Sequence, residues 1–196
     1  MPHGHAADAS CIECNSRAST ILICIRGNSG SGKSTIARQL RRRHGRGCAL
    51  VEQDHLRRIL LRERDKPGGL APALIEQNIR FCLDHGYHVV LDGILHTSRY
   101  RDMLIRLREA HQGTSLFCYL DVTLPETLRR HTTRPEASEF TPENMTGWYS
   151  PRDVLGWPDE LVIDETSPIE DTIAAIVDAS GLSQTGRDDD LLPAVP

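Results

Sequence analysis

The stretch that most constrains this chain is Ile21 to Arg38, ILICIRGNSGSGKSTIAR, where an apolar run meets a glycine-rich turn and then a helical pattern. A nearly continuous apolar run predicts a strand buried on both faces, as at the centre of a parallel sheet. The spacing of Ile36, Ala37 and Leu40 predicts a helix with one apolar face, and places Arg38, Arg41, Arg42 and Arg43 outward. Between the two, Gly27, Gly32, Lys33 and Ser34 satisfy the spacing G-x-x-x-x-G-K-[ST]. Gly27, Gly30 and Gly32 have no Cβ, so the backbone can take positive φ and gather its N–H groups around an anion. A helix starting near Lys33 adds unpaired donors and the positive end of its dipole. Gly27, Asn28, Ser29, Gly30, Ser31, Gly32, Lys33, Ser34 and Thr35 therefore read as a cradle for a polyphosphate. Lys33 would reach the β- and γ-phosphates, and the Ser34 hydroxyl would complete the coordination of a Mg²⁺ ion. The plainer alternative is a Gly/Ser-rich linker between a strand and a helix.

With 196 residues, 39% of them hydrophobic, the chain has room for one well-buried core. One domain is expected over residues 20–180, with a flexible arm at 1–19 and a disordered tail at 181–196. A net charge of −4 supplies no global basic field, which counts against nucleic acid as the partner. No apolar run is long enough for a bilayer and MPHGHAADAS lacks a secretory pattern, so a cytoplasmic protein is expected. Cys24, Cys48, Cys82 and Cys118 fall in apolar segments and read as reduced core residues. Cys11-x-x-Cys14, with His3 and His5 upstream, reads as half a zinc site, as a redox pair or as part of a disordered arm.

Further strands are expected at Cys48–Glu52, Tyr87–Gly93, Ser115–Val122 and Leu161–Asp164. Helices are expected around Leu56–Leu61, at Pro72–His85, at Thr97–His111 behind a Thr/Ser cap, from Glu126, and at Pro168–Ala179 capped by Ser167. Strands alternating with helices imply a parallel sheet with right-handed crossovers. From Glu136 to Gly156 the composition shifts to Pro, Ser, Thr, Glu and aromatics, as in a mobile lid, about 130–156, with one or two short helices.

Ligands of open α/β sheets gather outside the carboxyl edge, so the residues ending each strand matter most. Asp54 follows the second strand, and its carboxylate is placed to orient a substrate hydroxyl and accept its proton. The plainer reading is an N-cap on the next helix, and both can hold together. Arg57, three residues on, lies on the same helical face, suited to an anionic or polar part of an acceptor. Asp92 ends the third strand and suits a Walker B role toward the metal, the loop serine or the substrate. His96, Arg99 and Tyr100 follow it on the substrate side. Arg130 and Arg134 sit four apart, with Arg129 beside them, and suit developing phosphoryl charge or a solvated helix end. Trp148, Tyr149 and Trp157 would stack on an acceptor ring or pin the lid to its own core. Glu143 and Asp153 are expected to be exposed acids available to a cationic acceptor.

The GNSGSGKST turn resembles the P-loop nucleoside triphosphatases, in particular the small P-loop kinases. Asp54-x-x-Arg57 resembles the acceptor site of polynucleotide kinases and zeta-toxin-like kinases, and the aspartate alone resembles chloramphenicol phosphotransferase. The resemblance implies a three-layer α/β/α fold, a five-stranded parallel sheet of order 2-3-1-4-5 and an Arg-bearing lid. It also implies ATP, or GTP, with Mg²⁺ held through Ser34 and Asp92, and Asp54 as the base. Lys33, Arg130 and Arg134 would meet the transferring phosphoryl group, while Asp54, Arg57, Asp92 and Arg99 face the acceptor. The leading expectation is a monomeric or homodimeric kinase acting on a hydroxyl of a nucleoside, sugar or antibiotic. A polynucleotide 5′-hydroxyl kinase, a nucleotide-sugar kinase of the zeta-toxin type and a nucleotide-dependent ATPase switch are the alternatives.

Overall fold

The computed structural model describes residues 20–132 and 141–183. Cys11, Cys14, Arg134 and nearly all of the expected tail lie outside these residues. All seven residues of β1 (Ile21–Gly27) are buried, because the strand lies in the middle of the sheet. Around it are β2 (Cys48–Glu52), β3 (His88–Gly93), β4 (Thr114–Asp121) and β5 (Leu161–Asp164). Their order is β2-β3-β1-β4-β5, with every neighbouring pair parallel. Alternate side chains of β1 feed two cores. Ile21, Ile23 and Ile25 pack with Ile36 and Leu40 of α1 (Lys33–His44) and with Ile173 and Ile176 of α6 (Ile169–Ser180). Leu22 and Cys24 pack with Ile75 and Ile79 of α2 (Ala71–Asp84) and with Tyr100, Leu104 and Leu107 of α3 (Thr97–Ala110). The result is the three-layer P-loop NTPase arrangement. Two shorter helices, α4 (Leu124–His131) and α5 (Pro142–Trp148), lie beyond β4.

Three local expectations are revised. Leu56 to Leu61 do not form an amphipathic α-helix: His55–Leu60 is a π-helical turn with no buried residue, and Ile59 and Leu60 stay 68% and 61% exposed. Leu56, Ile59 and Leu60 keep the spacing of three and four, but of these only Leu56 packs against the core. Helix α3 takes no cap from its own Thr or Ser; the Thr97 N–H donates instead to Asp153 Oδ2 at 2.9 Å. Ser167 does not cap α6, because its hydroxyl meets Thr172 Oγ1 at 2.9 Å. Inside the expected lid, α5 opens on a reciprocal cap, with Thr141 Oγ1 accepting from Asn144 N and Asn144 Oδ1 from Thr141 N. Among the described residues no helix is long and apolar enough to cross a membrane. Cys24, Cys48 and Cys118 are buried, Cys82 is half-buried, and all four are free thiols.

Candidate functional site

The loop after β1 turns back on itself through left-handed glycines. Gly30 has φ +88°, and a Cβ there would lie 2.7 Å from the Thr127 carbonyl oxygen and 3.1 Å from Met145 Cε. Helices α4 and α5 thus close tightly on that side of the loop. Gly32, with φ +101°, is the N-cap of α1, and the nearest atom to a Cβ there would be Arg130 Nη1 at 4.0 Å. The Lys33 ammonium is buried and donates to the Asn28 carbonyl at 3.2 Å. Ser34 is half-buried, and Thr35 is exposed one turn into α1. Ser29 is half-buried on the loop, while Ser31 is buried with its Oγ unpaired.

Asp92 lies beside this loop, 4% exposed at the carboxyl end of β3. Burial pushes its carboxyl above the ordinary range; the Lys33 charge and a hydrogen bond with Ser34 pull it back, and Glu52 and Asp54 add to the rise. Its Oδ1 is buried and has no hydrogen-bond partner. A carboxylate with a spare oxygen beside a serine hydroxyl is a hard-oxygen donor pair, which fits Mg²⁺ sharing its remaining positions with phosphate and water.

On the β2 and β3 side stands Asp54, exposed, with its backbone already helical and no cap hydrogen bond from its side chain. The N-cap reading of Asp54 is therefore set aside. Its carboxylate accepts from Arg57 Nη2 at 2.7 Å, and Arg58 Nη1 lies 3.8 Å away. Arg57 also donates to the Glu63 carbonyl at 3.3 Å. Arg99 is tied to the Asp65 carboxylate at 3.2 Å, and Tyr100 OH donates to the same carboxylate at 3.0 Å. The Nε atoms of Arg57 and Arg99 are buried and unpaired.

The β4 and β5 side holds a cavity of about 470 Å³ that begins at Gly32 and Thr35 and ends at Glu165 to Ile169. Arg130 lies along its wall, donating from Nη1 to the Ser31 carbonyl at 3.0 Å and from Nη2 to the Glu165 carbonyl at 3.2 Å. Glu126 accepts from Arg129 and Arg130, and these two guanidiniums hold its carboxyl down at about 2.

One expectation is corrected here, and one choice between alternatives is decided. Asp153 is not an acid free to meet a cationic acceptor: it pairs with the fully buried Arg26 at 3.1 Å and accepts from both the N–H and the hydroxyl of Thr97. Burial works against its charge, yet the bonds from His96 and Thr97 and the Arg26 charge hold its carboxyl below the usual range. Trp157 does not face the cleft, since it packs edge-on to Phe117 at 4.8 Å with the Arg108 guanidinium over its ring. Trp148 is exposed on α5, as is Glu143, and Tyr149 donates to the Val122 carbonyl at 3.3 Å. Arg26 itself was overlooked in the sequence. Its Nη2 donates to the Leu95 and Asp153 carbonyls at 3.1 and 2.8 Å, and its Nη1 pairs with Glu160 at 3.2 Å. The available signal was a lone charge inside a run buried on both faces, which must find buried partners.

A family model described as an AAA domain matches residues 22–147 of the chain. The chain belongs to the AAA_33 family. The matched span runs from β1 through α5 and so contains the phosphate loop, Asp54, Asp92 and Arg130. Solved structures share this fold at low sequence identity. The Mycobacterium tuberculosis APS kinase CysC, in complex with AMPPNP and APS, superposes with a TM-score of 0.64 at 21% identity, covering 83% of this chain and 98% of that one. A Sinorhizobium meliloti gluconokinase gives 0.58 at 20%, covering 82% and 90%. The Deinococcus radiodurans tunicamycin resistance protein gives 0.58 at 18%, covering 84% and 97%. No curated protein matches the chain.

Proposed function

We propose that the chain is an ATP- and Mg²⁺-dependent kinase that transfers the γ-phosphoryl group to a hydroxyl of a small molecule. The observation that carries this reading is the two-sidedness of the site about β1. The strand order puts the phosphate loop in the middle, the β2 and β3 carboxylates on one side and the 470 Å³ cavity on the other. A nucleoside fits the cavity along Arg130, its phosphates run over the amides of Gly30 to Ser34, and the acceptor is left the side of Asp54. A purine phosphate donor and an alcohol acceptor need these two approaches to one phosphorus.

Lys33 holds the terminal phosphates, and Arg130, fixed to the loop's own carbonyl, meets charge on the β- and γ-phosphates. Arg134 is proposed for the same task, and Thr35 for the α-phosphate. Ser34 and Asp92 are the side chains that would hold Mg²⁺, which when bound neutralises phosphate charge. Asp54 orients the acceptor hydroxyl and accepts its proton, with Arg57 fixing the carboxylate; Arg99 and Asp65 form the wall behind it. One of the similar structures is an APS kinase in complex with AMPPNP and APS and another a gluconokinase, names that support a small-molecule acceptor. The chain is proposed to act in the cytoplasm, as a monomer or homodimer.

The test is ADP release with Mg²⁺-ATP and Mg²⁺-GTP against a panel of nucleosides, sugars, aminoglycosides, phenicols, nucleotide sugars and 5′-hydroxyl oligonucleotides. One acceptor is expected to raise the slow basal rate by orders of magnitude and to emerge phosphorylated, and Lys33→Ala to abolish the transfer. A rate indifferent to every acceptor but raised by a protein partner would replace the kinase reading with a switch.

A further inference from the structure

Asn28 fills an unspecified position of the loop motif, yet its side chain is 3% exposed and fully engaged. Its amide pairs reciprocally with the main chain of Ser150: Nδ2 donates to the Ser150 carbonyl at 2.8 Å, and Oδ1 accepts the Ser150 N–H at 3.0 Å. This copies the two-way exchange of a backbone ladder. The Tyr119 hydroxyl stands 3.5 Å from both Asn28 Nδ2 and the Ser150 carbonyl, and accepts the Asp153 N–H at 3.1 Å. The segment after α5 is thereby fixed to the phosphate loop at Ser150.

Three residues on, the same segment reaches the other half of the site. Asp153 accepts from the N–H and hydroxyl of Thr97, the first residue of α3, at 2.9 and 2.5 Å, with His96 Nδ1 3.7 Å away. Arg26 fastens Asp153 and Glu160 beneath, and also holds the Leu95 carbonyl. Leu95 itself is buried at φ +47°, a left-handed conformation that a non-glycine residue keeps only when its surroundings enforce it. Its N–H donates to Gln53 Oε1 at 3.2 Å, directly before Asp54. A continuous series of hydrogen bonds therefore runs from the phosphate loop through residues 150–153 to the turn before α3 and the end of β2.

We infer that Asn28 is a positioning residue, which sets the acceptor-side wall in register with the phosphate loop through Ser150, Asp153 and the start of α3. The inference rests on the kinase reading, in which the acceptor hydroxyl must be held within reach of one phosphorus. The Asn28 side chain touches no reacting atom. It acts by keeping Thr97 to Arg99 at a fixed place relative to Lys33, which carries its own bond to the Asn28 carbonyl.

Hydrogen exchange of the full chain with and without Mg²⁺-AMPPNP tests it, alongside calorimetric measurement of AMPPNP affinity. In the wild type, AMPPNP is expected to slow exchange at residues 150–153 and at residues 97–101 by about five-fold or more. In Asn28→Ala, at AMPPNP concentrations that saturate the variant, the slowing at 97–101 is expected to fall below about two-fold. A role confined to stability would raise exchange in both states and leave the nucleotide-dependent difference intact, which overturns the inference. An affinity loss beyond about ten-fold also overturns it, because the side chain would then belong to the nucleotide contact. Should Asn28→Ala fail to fold, Tyr119→Phe removes only the hydroxyl beside this pair and is expected to lose part of the same slowing; full slowing there counts against the inference. A wild-type chain that does not bind AMPPNP sinks the kinase reading first, and this inference with it.

Discussion

Replacing Asp153 with alanine removes more than one ion pair. Arg26 is 0% exposed and would lose the Asp153 carboxylate at 3.1 Å while keeping Glu160 at 3.2 Å and its carbonyl contacts. The N–H and hydroxyl of Thr97 would lose their acceptor at the same time. Stranding one partner of a buried pair costs about 3–5 kcal/mol. Glu160 retains part of the compensation, which brings the ionic loss toward about 2 kcal/mol, and the uncapped start of α3 adds about 1 kcal/mol. A total near 3 kcal/mol is a large share of a typical folding stability of about 5–15 kcal/mol, and corresponds to a fall in Tm of roughly 6–12 °C. Urea and thermal melts of wild type, Asp153→Ala and Asp153→Asn at pH 7 measure it, with the asparagine expected to retain the cap and lose less. The pH dependence has a definite sign. Because Asp153 is held below the usual carboxylate range, its contribution is complete above the unfolded value of about 3.9 and fades as the pH falls through that value toward the lower folded one. A loss in Asp153→Ala below about 1 kcal/mol at pH 7 would refute the reasoning, for it would mean that Glu160 alone satisfies the buried guanidinium.

Asp54→Asn keeps the shape of the acceptor side while removing the proton acceptor, so turnover with the identified acceptor is expected to drop about 10²-fold or more with nucleotide affinity unchanged. Unchanged turnover would exclude Asp54 as the base. Gly30→Ala places a methyl 2.7 Å from the Thr127 carbonyl oxygen at a φ of +88°; lowered Tm and weakened nucleotide binding, measured together, are expected, and wild-type values for both would show that α4 can yield. His88 Nδ1 accepts the Ile21 N–H, and burial, followed by the neighbouring His44, lowers its affinity for a proton. The unfolded chain therefore protonates this site first. The His88 contribution is complete above the unfolded value of about 6.5 and is lost as the pH falls through it toward the folded value. Urea midpoints between pH 8 and pH 5 should fall less steeply in His88→Asn than in wild type, and identical slopes would remove His88 from the account.

The sheet was readable because parallel strands covered on both faces leave nearly unbroken apolar runs, and β1 to β5 each appear within a residue or two of where those runs lie. The glycine loop was readable for a different reason: the motif sets its glycines and the lysine at the helix start at a fixed spacing, and Gly30 and Gly32 do take positive φ. Asp54 and Asp92 were legible as strand-end acids once the sheet was in place. The cavity wall from Asp164 to Ile169 was not, because it is assembled from the far end of the chain and carries no residue type of its own. Asp153 was misread for a related reason. Its partner Arg26 lies 127 residues away, and no local pattern joins the two. The π-helical turn after Asp54 also escaped pattern reading, since Leu56, Ile59 and Leu60 carry the spacing of an ordinary helix.

The tight seam between Gly30 and Thr127, Met145 bears on the order of kinetic events. It shuts one flank of the phosphate loop, so that on the proposed reading the donor nucleotide enters beside β5 and the alcohol beside β2. Two doors opening onto one phosphorus make a ternary complex the natural route, free either guest to arrive first, and let spent nucleotide depart while the phosphorylated product is still seated.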